Sequence, residues 1–145
     1  MDRLLENVLG AFEFQVKERG VTVLREPLPP CRGDGVQINQ VFSNLVDNAL
    51  KYLDPTRPGI LRITGKEDDA LVVYCVEDNG IGIPAGHQGK IFEIFHRLHP
   101  RDTPGEGLGL AIVRKILHRH GGRLWVESEV GKGSKFLVSL PKEMA

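Results

Sequence analysis

Seven of the 17 glycines in this 145-residue chain fall into three short clusters, at residues 80–82, 105–109 and 131–133. Inside a helix or strand, glycine costs roughly 0.5–1 kcal/mol relative to alanine, so such clusters mark where regular elements stop and start. The spaces between them confine the chain to short elements. An apolar strand precedes the first cluster, a helix follows the second, and a hairpin closes across the third.

Hydrophobic periodicity fills in the rest. Leu5, Val8, Leu9, Phe12 and Val16 recur at helical spacing and predict one helix over residues 2–19, stopped by Gly20. Residues 21–24 predict a short strand closed by Pro27, Pro29 and Pro30. Asp34 is placed to cap a long helix running to about residue 53, before Asp54 and Pro55 end it. Residues 60–64 and 70–76 predict two strands joined by a charged turn at 66–69. A second long helix is expected over 108–120, with Arg119 and His120 suited to its negative end. Strands at 124–126 and 136–140 complete the set. Helices interspersed with mostly antiparallel strands predict one domain over 1–145: an α/β (α+β) two-layer sandwich with a mixed sheet and about three helices on one face.

Composition excludes several classes of protein. Nineteen basic and nineteen acidic residues cancel, so there is no global field for nucleic acid or an anionic membrane. No apolar run approaches the roughly 18 residues of a membrane span, and the N-terminus lacks the layout of a signal peptide. Two cysteines, Cys31 and Cys75, are too few for a disulfide scaffold, lack metal-motif spacing and read as buried or idle thiols in a reducing compartment.

Chemistry concentrates in three places. On the long helix Ile38, Val41, Phe42, Leu45, Ala49 and Leu53 share the core face, while Asn44, Asn48, Lys51 and Tyr52 form a separate polar stripe. A carboxamide oxygen suits Mg²⁺ and a lysine suits a phosphate, although a solvated helix face carries the same residues. Asp78 ends the apolar strand and opens into Gly80 and Gly82, which suits either an acceptor for an exocyclic amine or a plain turn. Gly105, Gly107 and Gly109 open directly into a helix whose free N–H groups favour an anion. Between these clusters lie Lys90, His96, Arg97, His99 and Arg101, in a segment suited to closing over phosphates or to an ordinary charged surface loop.

Taken together, these residues resemble the ATP-binding catalytic domain of two-component sensor histidine kinases, of the ATPase group shared with gyrase, the Hsp90 chaperones and the MutL repair proteins. The resemblance covers nearly the whole chain. An asparagine box spans 44–52, a first glycine box 78–82, a phenylalanine box 91–95, a second glycine box 105–110 and a third 131–136. Each is weak alone; five in order are specific. The resemblance implies the Bergerat-type ATP-binding fold, ATP and Mg²⁺ as cofactors, and a lid over 83–104. It implies Asn48 as the Mg²⁺ ligand with Asn44 assisting, Lys51 at the phosphates and Tyr52 lining the nucleotide site. It implies Asp78 on the adenine amine within a pocket shaped by Gly80 and Gly82. Arg97 would approach the terminal phosphate, and the backbone of Gly107, Leu108, Gly109 and Leu110 would face the phosphate chain.

Two departures stand out: Gly86 where such kinases often carry glutamate, and Glu106 where a small residue is usual. The Glu106 side chain is expected to point outward. Hydrolysing members of the group place a glutamate four residues before the metal asparagine, and this chain has Asn44, which cannot take a proton near neutral pH. Transfer to an acceptor is therefore expected over hydrolysis. None of His87, His96, His99, His118 or His120 has the sequence context of the family's phosphoacceptor; His118 and His120 are expected at a helix end. The acceptor is thus expected on a histidine-bearing dimerisation domain of the same parent, with the helix over 1–19 leading from it and a response regulator downstream. A cytoplasmic location is expected, with no nucleic acid and no direct membrane contact, while the parent is free to be membrane-anchored. The alternatives are a free-standing serine kinase of the anti-sigma type and a non-catalytic ATP-gated interaction module.

Overall fold

A computed structural model describes residues 1–83 and 106–142, with the side chains of residues 106–108 excepted. The phenylalanine box, Gly86, His87, Lys90, His96, Arg97, His99, Arg101, the Glu106 side chain and all but the first residue of the expected lid lie outside the described residues.

The strands are β1 (Thr22–Arg25), β2 (Ile60–Glu67), β3 (Leu71–Asp78), β4 (Arg123–Glu129) and β5 (Gly133–Pro141). They form one sheet in the order β1-β2-β3-β5-β4. β1 runs parallel to β2 and every other pairing is antiparallel. The described helices are α1 (Asp2–Ala11), α2 (Glu13–Glu18), α3 (Gly35–Lys51) and α4 (Glu106–Arg119). α3 packs between α1 and α4, with β3 beneath it, while α4 lies over β4 and β5. This is the expected mixed, mostly antiparallel two-layer sandwich.

Alternation along the strands makes the layers. On β3, Val72, Tyr74, Val76 and Asp78 are buried. On the opposite face one register row reads Arg62, Glu77, Lys135 and Glu127 across four strands. A row of alternating charge belongs in water, and the described helices pack on the other face. Beneath α3, Phe42 meets Tyr74 edge-to-face with centroids 5.5 Å apart.

The single helix expected over residues 2–19 is two. Gly10 sits in the last turn of α1, where helix propensity is poor. The Phe12 N–H turns to the Leu9 carbonyl at 3.1 Å, and the chain restarts as α2. Among the described residues no helix is long and apolar enough to cross a membrane.

The start of α3 and the end of α4 are closed by side chains. The Asp34 carboxylate accepts the N–H groups of Val36 at 2.8 Å and Gln37 at 3.2 Å, as its position before α3 predicts. The N–H of Asp34 donates to His120 Nε2 at 3.1 Å, and Nδ1 of that ring donates to the Ile116 carbonyl at 2.8 Å. One neutral imidazole therefore ties the end of α4 to the start of α3. Asp34→Ala is expected to lower stability by about 1 kcal/mol. Urea unfolding checks this, and no loss would mean that the His120 tie suffices without the cap.

Candidate nucleotide site

Asp78 is the last member of the inward-facing row of β3, so its carboxylate sits at the edge of the core and is only 7% exposed. Its Oδ1 accepts the Gly80 N–H at 2.9 Å. Burial pushes this carboxyl up to about 6; hydrogen bonds from the Gly80 and Ser134 backbone resist, the Glu77 charge adds to the rise, and Arg57 opposes it. A carboxylate raised by burial at the end of a strand is a candidate functional position.

The turn beyond Asp78 is held by backbone on both sides. The Ile81 N–H donates to the Tyr52 carbonyl at 3.0 Å, and a Cβ added at Gly80 would lie 2.1 Å from that same oxygen. Only glycine lets the end of α3 come so close to the turn. On the far side, the Gly131 N–H donates to the Ile81 carbonyl at 2.9 Å and the Ile83 N–H donates to Ser128 Oγ at 2.8 Å. Gly82, at φ 77°, lies against the Glu129 carbonyl. The first and third glycine boxes therefore meet each other.

α3 links this turn to the second glycine box. Tyr52 caps the helix, its N–H donating to the Asn48 carbonyl at 3.3 Å. Lys51 forms a 2.8 Å ion pair with Asp47 one turn back. Asn48 is half-buried. Asn44, two turns before Tyr52 and about 12 Å from it along the axis, faces the start of α4: a Cβ on Gly109 would lie 3.9 Å from Asn44 Oδ1. The Asn44 Nδ2 is buried and has no hydrogen-bond partner among the described residues. An orphan donor of this kind costs about 1–3 kcal/mol, and it sits beside the helix end where the first four N–H groups lack partners within the helix. Both features suit an anion. Gly107, Leu108, Gly109 and Leu110 occupy that first turn, and Leu110 also gives its side chain to the core.

The donor set also fits a particular kind of cation. Among the described residues no three His, Cys, Asp or Glu side chains gather to hold a metal. A neutral carboxamide such as Asn48 suits an ion that arrives with phosphates and keeps most of its own water, as Mg²⁺ does.

Sequence reasoning brings together Asn44, Asn48, Lys51, Tyr52, Asp78 and Gly80, and α3 carries the connection between the two ends. It missed Arg57 and Ser128. Arg57 bonds the Asn79 and Gly80 carbonyls, and Ser128 anchors Ile83. Neither lies in a periodic pattern or a motif, so only the folded chain reveals them.

A helix-covered mixed sheet, with a buried acid at one strand end and the start of a helix across α3, defines a two-layer α/β sandwich with a candidate nucleotide site. A sequence model of the histidine kinase-, DNA gyrase B-, and HSP90-like ATPases matches residues 33–144, and the chain belongs to this family. It is 39% identical over 143 residues to cyanobacterial phytochrome A of Nostoc sp., covering 97% of this chain and 18% of that protein. It is 35% identical over 139 residues to the methanogenesis regulatory histidine kinase FilI of Methanothrix harundinacea, covering 95% and 16%. The chain thus spans under a fifth of the length of these curated relatives.

Among solved structures, the nucleotide-free catalytic domain of histidine kinase ThkA superposes with a TM-score of 0.83 at 30% identity, covering 98% of this chain and 92% of that one. Full-length ShkA in complex with AMPPNP gives 0.82 at 30%, covering 98% and 30%. ThkA in complex with the response regulator protein TrrA gives 0.79 at 28%, covering 99% and 40%. The fold is that of a histidine kinase catalytic domain.

Proposed function

We propose that this chain binds ATP with Mg²⁺ and passes the γ-phosphoryl group to a histidine on a separate dimerisation domain, as the catalytic part of a two-component sensor kinase. One observation carries the reading. Asn44, whose buried amide has no partner among the described residues and faces the start of α4, stands where a hydrolase of this group needs a carboxylate base. An amide can donate to a phosphate but cannot take a proton from water, so transfer to a protein acceptor is favoured over hydrolysis. In that transfer the bond between the γ-phosphorus and its bridging oxygen breaks, a phosphorus–nitrogen bond forms on imidazole, and ADP leaves.

The residues divide the work by position. Asp78 accepts from the adenine amine, within the turn held by Gly80 and Gly82, and Tyr52 lines the same end. Asn48 holds the metal through its carboxamide oxygen. Lys51 exchanges Asp47 for a phosphate oxygen, a trade between partners of like charge that costs little at a half-exposed site. Gly107, Leu108, Gly109 and Leu110 turn the start of α4 toward the phosphates, and Arg97 reaches the terminal phosphate. Bound Mg²⁺ would supply charge neutralisation across the transferred group. The remaining catalysis is positioning. The AMPPNP complex of ShkA supports the nucleotide assignment, and the ThkA–TrrA complex supports a response regulator as the downstream partner. A cytoplasmic location accords with such a partner.

Incubation with γ-labelled ATP and a histidine-bearing dimerisation domain of the parent tests the reading. Acid-labile label on that domain is expected; phosphoserine on an antagonist protein, or release of inorganic phosphate alone, would overturn it. Asn48→Ala is expected to weaken Mg·ATP about tenfold or more and metal-free ATP less than about twofold. Calorimetry with and without chelator checks this, and equal losses would remove Asn48 from the metal.

A further inference from the structure

Arg57 lies in the connection between α3 and β2, outside every motif, yet its guanidinium reaches across to the turn after Asp78. Nε donates to the Asn79 carbonyl at 2.8 Å and Nη2 to the Gly80 carbonyl at 2.8 Å. The fork therefore grips two successive peptide groups of the segment that carries the Asp78–Gly80 hydrogen bond. Asn79 returns the link: its Oδ1 accepts the Ile60 N–H at 2.7 Å and its Nδ2 donates to the Pro58 carbonyl at 2.9 Å. Each segment thus uses one side chain to hold the other's backbone.

Arg57 is itself held in place. Asp54 Oδ2 lies 3.8 Å from Nε, and Asp54 Oδ1 accepts the Thr56 N–H at 2.9 Å and the Thr56 hydroxyl at 2.6 Å. That local turn places the guanidinium on the side facing Asn79. A lysine in the same place would present a point charge without the planar fork that matches two carbonyls.

We propose that Arg57 is a positioning residue for the adenine end of the site, fixing the direction of the Asp78 carboxylate by holding the Asn79 and Gly80 carbonyls against the end of α3. The proposal rests on the reading of Asp78 as acceptor for the adenine amine. Nothing about Arg57 requires it to touch nucleotide. Its effect passes through the Asp78–Gly80 bond, and the positive charge it brings also favours the ionised carboxylate.

Discrimination between ADP and IDP separates positioning from simple structural support, because IDP carries an oxygen where adenine has its amine. Calorimetric titrations of the 145-residue chain would compare wild type, Asp78→Asn, Arg57→Ala and Arg57→Lys, each checked for folding by circular dichroism. Arg57→Ala is expected to lose about tenfold in ADP affinity and under about twofold in IDP affinity, so that the preference collapses. Arg57→Lys, with its charge kept and its fork lost, is expected to lose most of the same preference, and it stands as the test if Arg57→Ala does not fold. A wild-type ADP/IDP ratio in both folded variants would overturn the proposal, whatever their stability. Wild type without any preference, or Asp78→Asn with the wild-type preference, would instead sink the adenine assignment and the role of Arg57 with it.

Discussion

Asp78→Asn is expected to abolish nucleotide binding and, at neutral pH, to leave the nucleotide-free fold more stable than wild type. Both effects have one cause. The carboxyl is pushed from 3.8 to about 6 because burial disfavours its charged form. Holding it ionised above pH 6 therefore costs the fold about 3 kcal/mol. Asparagine removes that cost but keeps a single acceptor oxygen for the Gly80 and Ser134 backbone donors that the carboxylate now serves, which returns about 1 kcal/mol. The net gain is about 1–2 kcal/mol.

The sign of the pH dependence follows from the direction of the shift. A folded-state value raised above the unfolded one means that the contribution of Asp78 to stability is intact below about pH 4 and is lost as pH rises through about 6. Asparagine does not titrate, so its advantage opens between those values and stays constant above them. Urea unfolding at pH 4 and pH 7.5 measures the opening. A variant no more stable than wild type at pH 7.5 would show that the buried charge costs the fold nothing. For binding, the same exchange is unfavourable, since an amide can set its donors against the donor amine of adenine. A variant that takes up Mg·ADP as wild type does would place the adenine contact elsewhere.

The residues that carry local signals were legible in the sequence, and those that act by tertiary approach were not. Asp34 is a cap on chemistry alone, and Val72, Tyr74 and Val76 announce an inward row whose next member is Asp78. The apolar stripe of α3 likewise shows its core face, and Asn44, Asn48 and Lys51 stand out as the remainder. What a single pattern cannot give is distance across the fold. Asn44 and Gly109 belong to separate motifs and meet only because α3 packs against α4. The parallel pairing of β1 with β2 is similarly absent from any local pattern. β5 begins at Gly133, as a cluster that marks an element boundary predicts. Gly65, outside the clusters, lies inside β2, because the Pro29, Tyr74 and Leu28 side chains pack against its backbone. Arg57 sits in a proline-flanked loop that reads as a helix stop, and its grip on Asn79 and Gly80 belongs to the assembled turn.

Gly133→Ala is expected to be the most damaging single methyl in the described chain, and Gly131→Ala is its control. The two glycines share one hairpin and both have positive φ, 85° at Gly131 and 122° at Gly133. Around Gly131 a new Cβ meets nothing within 4 Å, so the substitution costs backbone strain alone, about 1 kcal/mol. At Gly133 the Cβ would stand 2.0 Å from the Asp78 carbonyl oxygen and 2.8 Å from Asn79 Cα. These are backbone atoms at the end of a central strand and have no rotamer by which to move aside. Relief requires β5 to part from β3 where Asp78 pairs with Ser134. A loss of about 3–4 kcal/mol is expected. Because the parting occurs at Asp78, ADP affinity should fall in Gly133→Ala under conditions where the protein is still folded, and remain near wild type in Gly131→Ala. Urea unfolding of the pair, followed by calorimetry on the folded fraction, measures both effects. Equal stabilities would show that β5 can retreat from Asp78 at no cost, and the third glycine box would then be a turn and no part of what supports the site.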